Sequence, residues 1–371
     1  MTARSLGDVA RFVNGFPFKP SDWGREGLPI IRIQNLTGTK DDFNYTTREV
    51  KSELIVEPGD LLVSWSATLD VYRWGGPRGL LNQHIFKVFP YSGIDPDYLY
   101  FALKNVIGEL THKTHGSTMK HVVRGDFEST NVRVPSIAEQ RQIVDILSRA
   151  EGIIRLQRQA TEKAREIVPA LFLNMFGDPV TNPKGWPATS LGDQVEIASV
   201  VRTPNLRAEA EMLCVGPDSI ASYTGQIVSR PLVREVKPKS GKYRFAAGEV
   251  LYSKIRPYLA KAALADTEGY CSADMYPLRC KENIRSFFLC SLLLSRAFTS
   301  FASAESVRAQ MPKLNRETLF AYRFPLPPFD LQGRFAHRAA EVRSVQVQQE
   351  TAARKAESVF NALLARSFAQ G

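Results

Sequence analysis

The stretch SIAEQRQIVDILSRAEGIIRLQRQATEKAREIVPALFLNMF, residues 136–176, decides how this chain is organised. It follows Val134-Pro135, and Ser136 with Glu139 three positions on makes a capping box, so a helix starts there. Within it, positions 143, 147, 150, 154, 157, 161, 164, 168, 171 and 175 are apolar or small apart from Gln157, in alternating steps of four and three. A period of about 3.5 residues sustained this long marks a helix packed along its length on another helix. Pro169 removes a backbone donor inside it and predicts a kink or short break. Gly177-Asp178-Pro179 predicts its end.

Adding 192 to each stripe position gives Phe335, Ala339, Val342, Gln346, Gln349, Ala353, Ala356, Phe360, Leu363 and Ser367, a second helix in the same register. Other segments recur as well. Ser5-Leu6-Gly7-Asp8 returns as Ser190-Leu191-Gly192-Asp193, and Arg48-Glu49-Val50-Lys51 as Arg234-Glu235-Val236-Lys237. Gly59-Asp60-Leu61-Leu62-Val63-Ser64 answers to Gly248-Glu249-Val250-Leu251-Tyr252-Ser253, Met119 to Met311 and Gln140 to Gln332. The chain is a doubled unit of domain and helix. Its expected divisions are a first globular domain at 1–136, a central long helix and linker at 137–180, a second domain at 181–328 and a C-terminal long helix at 329–371.

The expected fold class is α+β: two β-rich mixed domains in tandem pseudo-repeat, separated by two long helices that form an antiparallel coiled coil. Helix-pair packing is assigned to Ile143, Leu147, Ile154, Gln157, Val168, Leu171, Phe335, Val342, Gln349, Phe360 and Leu363. On this basis Leu147→Glu is expected to damage assembly before local folding. Strands are expected at 29–35, 61–65 and 85–89, and matched helices at 98–110 and 287–298.

The formal charge of +10 suits a polyanionic partner, and it is unevenly spread. Residues 1–136 carry a net +1, 137–180 zero, 181–328 +7 and 329–371 +2. Cys214, Cys271, Cys280 and Cys290 form no CxxC pair, which points to reduced thiols and away from structural zinc. The first residues lack the apolar run of a signal peptide, and the longest apolar segment, 287–294, is too short to span a bilayer. A cytoplasmic location is expected.

Enzyme signatures are absent. There is no P-loop and no Gly-x-Gly-x-x-Gly. Asn182-Pro183-Lys184-Gly185 lacks the second Pro and the aromatic residue of a DNA amino-methyltransferase motif. Pro217-Asp218 with Glu235-Val236-Lys237 has the form of a metal-dependent nuclease site. Glu49-Val50-Lys51 holds the same place in the first copy, where Gln34-Asn35 stands instead of an acidic partner, so the tripeptide reads as a turn or strand feature. No catalytic residue, metal or bound cofactor is expected of this chain.

What remains is recognition. Two diverged domains on a rigid spacer suit a two-part target, read by polar and basic residues beside strand ends and turns. In the first copy the candidates are Arg32, Gln34, Asn35, Ser64, Gln83, His84, Lys113, His115, Ser117, Thr118, Lys120 and His121. In the second they are Lys237, Lys239, Lys242, Tyr243, Arg244, Lys254, Arg256, Tyr258, Arg308, Gln310 and Lys313. Residues 237–244 hold four basic side chains in eight and read as a phosphate-facing loop. Trp65 reads as core.

The segments Val134-Pro135-Ser136-Ile137-Ala138-Glu139-Gln140-Arg141-Gln142-Ile143-Val144 and Met175-Phe176-Gly177-Asp178-Pro179-Val180-Thr181-Asn182-Pro183-Lys184-Gly185-Trp186, with the doubled layout, resemble the specificity subunit of Type I restriction-modification enzymes. The second copy departs in carrying Asp330-Leu331-Gln332 where Glu-Gln is usual. The resemblance implies that each target-recognition domain reads half of a split double-stranded DNA sequence. It also implies that the helices set the spacing and dock two DNA methyltransferase subunits, and that motor-nuclease subunits join the larger assembly. S-adenosylmethionine would belong to the methyltransferase, acting on a flipped adenine, and ATP and Mg²⁺ to the motor-nuclease partner. Two alternatives are the recognition subunit of a fused methyltransferase-nuclease system and a coiled-coil interaction protein with no DNA role.

Overall fold

The structure is a computed structural model and describes residues 2–66, 68–113, 124–306 and 312–369. Two compact units emerge, Met1–Gln157 with Ala352–Gly371, and Arg158–Thr351. This division differs from the four consecutive segments expected from sequence, because each unit takes half of each long helix.

In the first unit, Thr2–Ser5 pairs antiparallel with Asn131–Val134, joining the start of the domain to the strand that leads into the long helix. Ser5 then caps the turn Leu6–Val9 in a box with Asp8, and Ser190 and Asp193 repeat that box in the second unit. One four-stranded sheet is antiparallel, in the order Ala10–Asn14, Ile85–Pro90, Leu61–Ser64, Asp70–Arg73. The other has the order Asn44–Thr46, Leu28–Ile31, Gly79–Leu81, Ile55–Val56, and its central pair is parallel. The helix Pro96–Lys113 turns Tyr98, Leu99, Phe101 and Leu103 into a core that also holds Phe12 and Phe86 of the first sheet.

The second unit repeats the plan. Ala188–Ser190 pairs with Arg323–Pro325, and one sheet runs Val195–Glu196, Met275–Cys280, Val250–Ser253, Ala262–Leu264. Its other sheet runs Val201–Arg202, Lys242–Phe245, Gly269–Ser272, Leu213–Val215, with the last two parallel. Three strands of this sheet match the first unit. The fourth lies beside Leu28–Ile31 in one domain and beside Lys242–Phe245 in the other, so the sheets differ at their edges.

The long helices are Ile137–Phe176 and Phe329–Phe368. At the first, Ser136 N–H donates to Glu139 Oε2 (3.1 Å) and Glu139 N–H to Ser136 Oγ (3.4 Å), the expected capping box. None of the expected stripe positions is exposed. Leu147 and Ile154 share a core with Phe360 and Leu364 in the first unit, with Ile143 and Leu363 against it. In the second, Phe172 and Phe176 share one with Phe335 and Ala339, with Val168 and Leu171 against it. Val342, Gln157 and Gln349 are half-buried, and Gln346 donates across to the Ala164 carbonyl at 2.5 Å. The beginning of each helix thus meets the end of the other, which makes the pair antiparallel.

Of the kink or short break expected at Pro169, the break does not occur. The helix continues through it with the proline exposed, while Val168, Leu171 and Phe172 on either side are packed. The helix ends at Gly177, whose φ of +83° admits the left-handed turn and whose N–H donates to Leu173 O (2.8 Å). Trp186 folds back to give its indole N–H to the Phe176 carbonyl (3.0 Å).

Other local readings are corrected. The strand expected at 29–35 ends at Ile31, because Asn35 accepts the Arg32 N–H and folds Ile33–Leu36 into a helical turn. The helix expected at 287–298 is two, Ser286–Leu294 and Arg296–Ser306. Ser295 between them is extended, and its hydroxyl accepts the Phe298 N–H (3.2 Å) to start the second. The shared tripeptide is not a shared structure: Val233–Val236 is a helical turn, whereas residues 48–51 have no regular structure. Among the described residues, no single helix is long and apolar enough to cross a membrane.

Two glutamines tie the helices to their domains. Gln140 is fully buried; it accepts the Asp95 N–H (2.8 Å) and donates to the carbonyls of Gly93 and Pro135 (both 3.0 Å). Gln332, also fully buried, accepts the Arg285 N–H (2.8 Å) and donates to Asn283 O (3.1 Å) and Pro327 O (2.9 Å). Each one joins the residues just before its helix to the start of the preceding domain helix. The first unit adds an ionic tie of its own. Glu151 of the long helix takes Tyr100 (2.7 Å), Lys104 (3.1 Å) and Arg73 (3.2 Å). Burial acts to raise the Glu151 carboxyl, but these donors outweigh it and hold it below its usual range.

Candidate nucleic-acid interface

In the first domain three strand ends converge. Ile31 and Leu81 pair in parallel, Asn82 N–H donates to Ile31 O (3.1 Å), and Gln83 N–H donates to Phe16 O (3.0 Å). Ser64 ends its strand opposite Ile85, and Trp65 N–H then donates to His84 O (3.3 Å). The topology therefore gathers Arg32, Gln83 and His84 from positions far apart in sequence. Arg32 Nε, Gln83 Oε1 and His84 Nδ1 are buried atoms with no hydrogen-bond partner among the described residues. Unmet polar atoms of this kind cost about 1–3 kcal/mol each, a cost that a polar partner at this place would relieve. The Arg32 guanidinium also lies 5.2 Å from the ring of Trp23, which is 42% exposed. Trp23 was missed in sequence because no pattern surrounds it.

Other candidates are already engaged. Ser64 is fully buried, with its hydroxyl held by the Thr68 carbonyl and the Asp70 N–H, so it presents nothing to a duplex. The Asn35 amide is consumed by its own turn, bonding Arg32 N–H, Lys40 O and Asp42 O. Gln34 takes part in the same turn through its backbone carbonyl, which receives the N–H groups of Thr39 and Lys40, and not through its side-chain amide. Trp65 is half-buried and stacked on Phe86 (5.9 Å), as a core residue should be. Lys113 closes the helix Pro96–Lys113. His115, Ser117, Thr118, Lys120, His121, Arg308 and Gln310, like Met119 and Met311, lie outside the described residues.

The second domain offers cations at the matching strand end. Lys254 follows Ser253 and is 9% exposed, with its ammonium over the Tyr276 ring at 4.9 Å. Burial, then the charge of Lys313, pushes its pKa down. Lys313 is exposed and bridges to Ile255, and exposed Arg256 donates its N–H to Pro312 O (2.9 Å) from a left-handed backbone. Tyr258 sits elsewhere, on a cleft of about 860 Å³ within this unit whose walls include Val168, Phe172 and Leu294.

The expected phosphate-facing loop is part turn and part strand. Lys237 and Lys239 are exposed, whereas Lys242, Tyr243 and Arg244 lie on the strand Lys242–Phe245. Lys242 donates to Ser240 Oγ (2.8 Å), Tyr243 packs on a small core, and Arg244 is paired with Glu268 (2.9 Å). Nearby, Arg202 first, then Tyr270 and the Asn205 N–H, hold the Glu209 carboxyl down at about 2. Among the described residues no group of His, Cys, Asp and Glu could hold a metal ion. Asp218 and Glu235 are exposed rather than joined at a site, and Glu235 caps the Leu232 N–H (2.8 Å).

Two domains of one plan, each on halves of two long helices, match a described family. The family model for the Type I restriction modification DNA specificity domain covers residues 1–165 and 183–353. The chain belongs to this family. It is 28% identical over 313 residues to the Type I restriction enzyme EcoDI specificity subunit of Escherichia coli, spanning 74% of this chain and 70% of that one. It is also 22% identical over 404 residues to the MjaVIII specificity subunit of Methanocaldococcus jannaschii, covering 97% and 91%. The fold resembles the crystal structure of the Type I S subunit from M. genitalium, with TM-score 0.57, 13% identity, and 100% and 96% of the two chains covered. A structure from work on assembly and conformational transition of the type I system matches with TM-score 0.57, 14% identity and 99% and 97% coverage. The doubled specificity domain accounts for the pseudo-repeat that the sequence carries.

Proposed function

We propose that this chain is the DNA-reading subunit of a Type I restriction-modification complex. Each domain reads one half of a bipartite duplex, and the long helices set the spacing and dock two methyltransferase subunits. Catalysis belongs to those partners and to the motor-nuclease subunits. The observation that carries this reading is that the duplication extends to the outward faces of the helices. Ile153 and Val345, both 52% exposed, are equivalent at the 192-residue offset, as are Ile167 (47%) and Val359 (57%). Ala160 and Ala352 lie between them in each row. Exposed apolar rows on a charged helix mark a protein contact, and two equivalent rows suit two copies of one partner.

The test is selection from a random duplex library by the chain with its methyltransferase. A motif in two parts separated by a fixed unread spacer is expected, with binding that weakens steeply as salt rises. A motif in one part, or none, overturns the reading.

A further inference from the structure

The pairing registers align the two domains residue by residue at one place. Ser64 lies opposite Ile85 and Ser253 opposite Met275, so Trp65 corresponds to Lys254, His84 to Asp274 and Phe86 to Tyr276. The backbone bond is the same in both: Trp65 N–H donates to His84 O (3.3 Å), and Lys254 N–H to Asp274 O (3.0 Å). The aromatic platform is also the same, with Trp65 stacked on Phe86 at 5.9 Å and Lys254 over Tyr276 at 4.9 Å. One fold position has been given a neutral aromatic ring in one domain and a cation in the other.

The Lys254 side chain is unusually constrained for a lysine. It is 9% exposed, its backbone is bonded on both sides (Leu314 N–H donates to Lys254 O at 2.8 Å), and its amine is fixed over a ring. The amine lies over the Tyr276 ring, and the exposed carboxylate of Asp274 acts on its charge without an ion pair between them among the described residues. Phosphates are well served by long, exposed cations, and Lys313 and Arg256 beside it are exposed. A pre-ordered donor loses little freedom on binding and discriminates by position, which is what a base edge requires. A lysine donor suits the O6 and N7 acceptors of guanine, and a carboxylate suits the N4 amine of cytosine.

Resting on the proposed bipartite reading, we infer that Lys254 is a specificity-determining residue of the second domain, donating to guanine in a G·C pair whose cytosine faces Asp274. The first domain, with Trp65 and His84 there, reads its half without that cation.

The experiment compares the full chain, in complex with its methyltransferase, as wild type, Lys254→Met and Lys254→Arg, by library selection and by binding across a salt series. Lys254→Met is expected to lower discrimination at one G·C pair of one half-motif about tenfold. The other half-motif and the slope of log affinity against log salt should be unchanged. Lys254→Arg, which keeps the donor, should retain the guanine preference, and this tests the assignment even if the Met variant folds poorly. Uniform weakening with a salt slope smaller by about one would make Lys254 a phosphate contact and overturn the inference. Unaltered selection by Lys254→Met would overturn it as well. Failure of the bipartite reading itself is distinguishable, since it would appear in the wild-type motif.

Discussion

Gln140→Ala removes three hydrogen bonds at once, leaving the Asp95 N–H and the carbonyls of Gly93 and Pro135 without the partner that fully buried Gln140 supplied. At about 1 kcal/mol net per bond, the loss is about 3 kcal/mol. With a urea dependence of about 2 kcal/mol/M, the transition of the first unit should move down by about 1.5 M. Gln332→Ala should do the same to the second unit, where the Arg285 N–H loses its acceptor. Gln140→Glu is a sharper version, because it keeps an acceptor for Asp95 but turns a carboxylate toward two carbonyl oxygens. It should cost at least as much as alanine. Urea unfolding followed by amide exchange at Asp95 and Arg285 measures each unit separately. A change under about 0.5 kcal/mol, the range of ordinary surface substitutions, for either alanine variant would refute the anchoring role. So would faster exchange at Arg285 in the Gln140 variant alone.

Four other outcomes are expected. Leu147 is fully buried in the core of the first unit, so Leu147→Glu should unfold that unit, by more than about 4 kcal/mol, and not act on assembly first as the stripe alone implies; Ile153→Glu should leave the melting temperature nearly unchanged while weakening capture of the methyltransferase. The folded Glu209 pKa of about 2 lies below the reference 4.5, so its stabilisation is present above about pH 4.5 and is lost as pH falls toward 2; Glu209→Gln should flatten acid unfolding of the second unit in that window. Exchanging residues 1–136 for another domain of the family should change one half of the selected motif and leave the other intact, and change in both halves would contradict one domain per half.

The long helices were legible because a 3.5-residue period is a local signal, and its recurrence at 192 residues left little room for another layout. Gln140 and Gln332 showed as a matched pair, but their role depends on Gly93 and Asn283, which only the fold brings near. The Trp186 bond to the helix end likewise gives a physical reason for a linker motif recognised by resemblance alone. The parallel pairing of Leu28–Ile31 with Gly79–Leu81 joins segments about fifty residues apart and has no local signature. For the candidate interface, residue type pointed to polar and basic side chains without showing which were occupied. Asn35, Ser64 and Arg244 have partners in the fold, whereas Gln83 Oε1 and His84 Nδ1 have none among the described residues. Exposed Lys and Arg looked alike in sequence, and the constraint on Lys254 comes from Tyr276, twenty-two residues away.

The division of each long helix between two units bears on how the chain acquires its fold. The second unit, Arg158–Thr351, is continuous, while the first is interrupted by all of it and completed by Ala352–Gly371. Phe360, Leu364 and Phe368, which fill the first unit's core, emerge from the ribosome after everything else in that unit. The inserted unit can form from contacts within one uninterrupted segment. The outer one must close a loop of nearly two hundred residues, and long-range closure is slow. The first unit therefore completes its core only once its last segment, Ala352–Gly371, has been made.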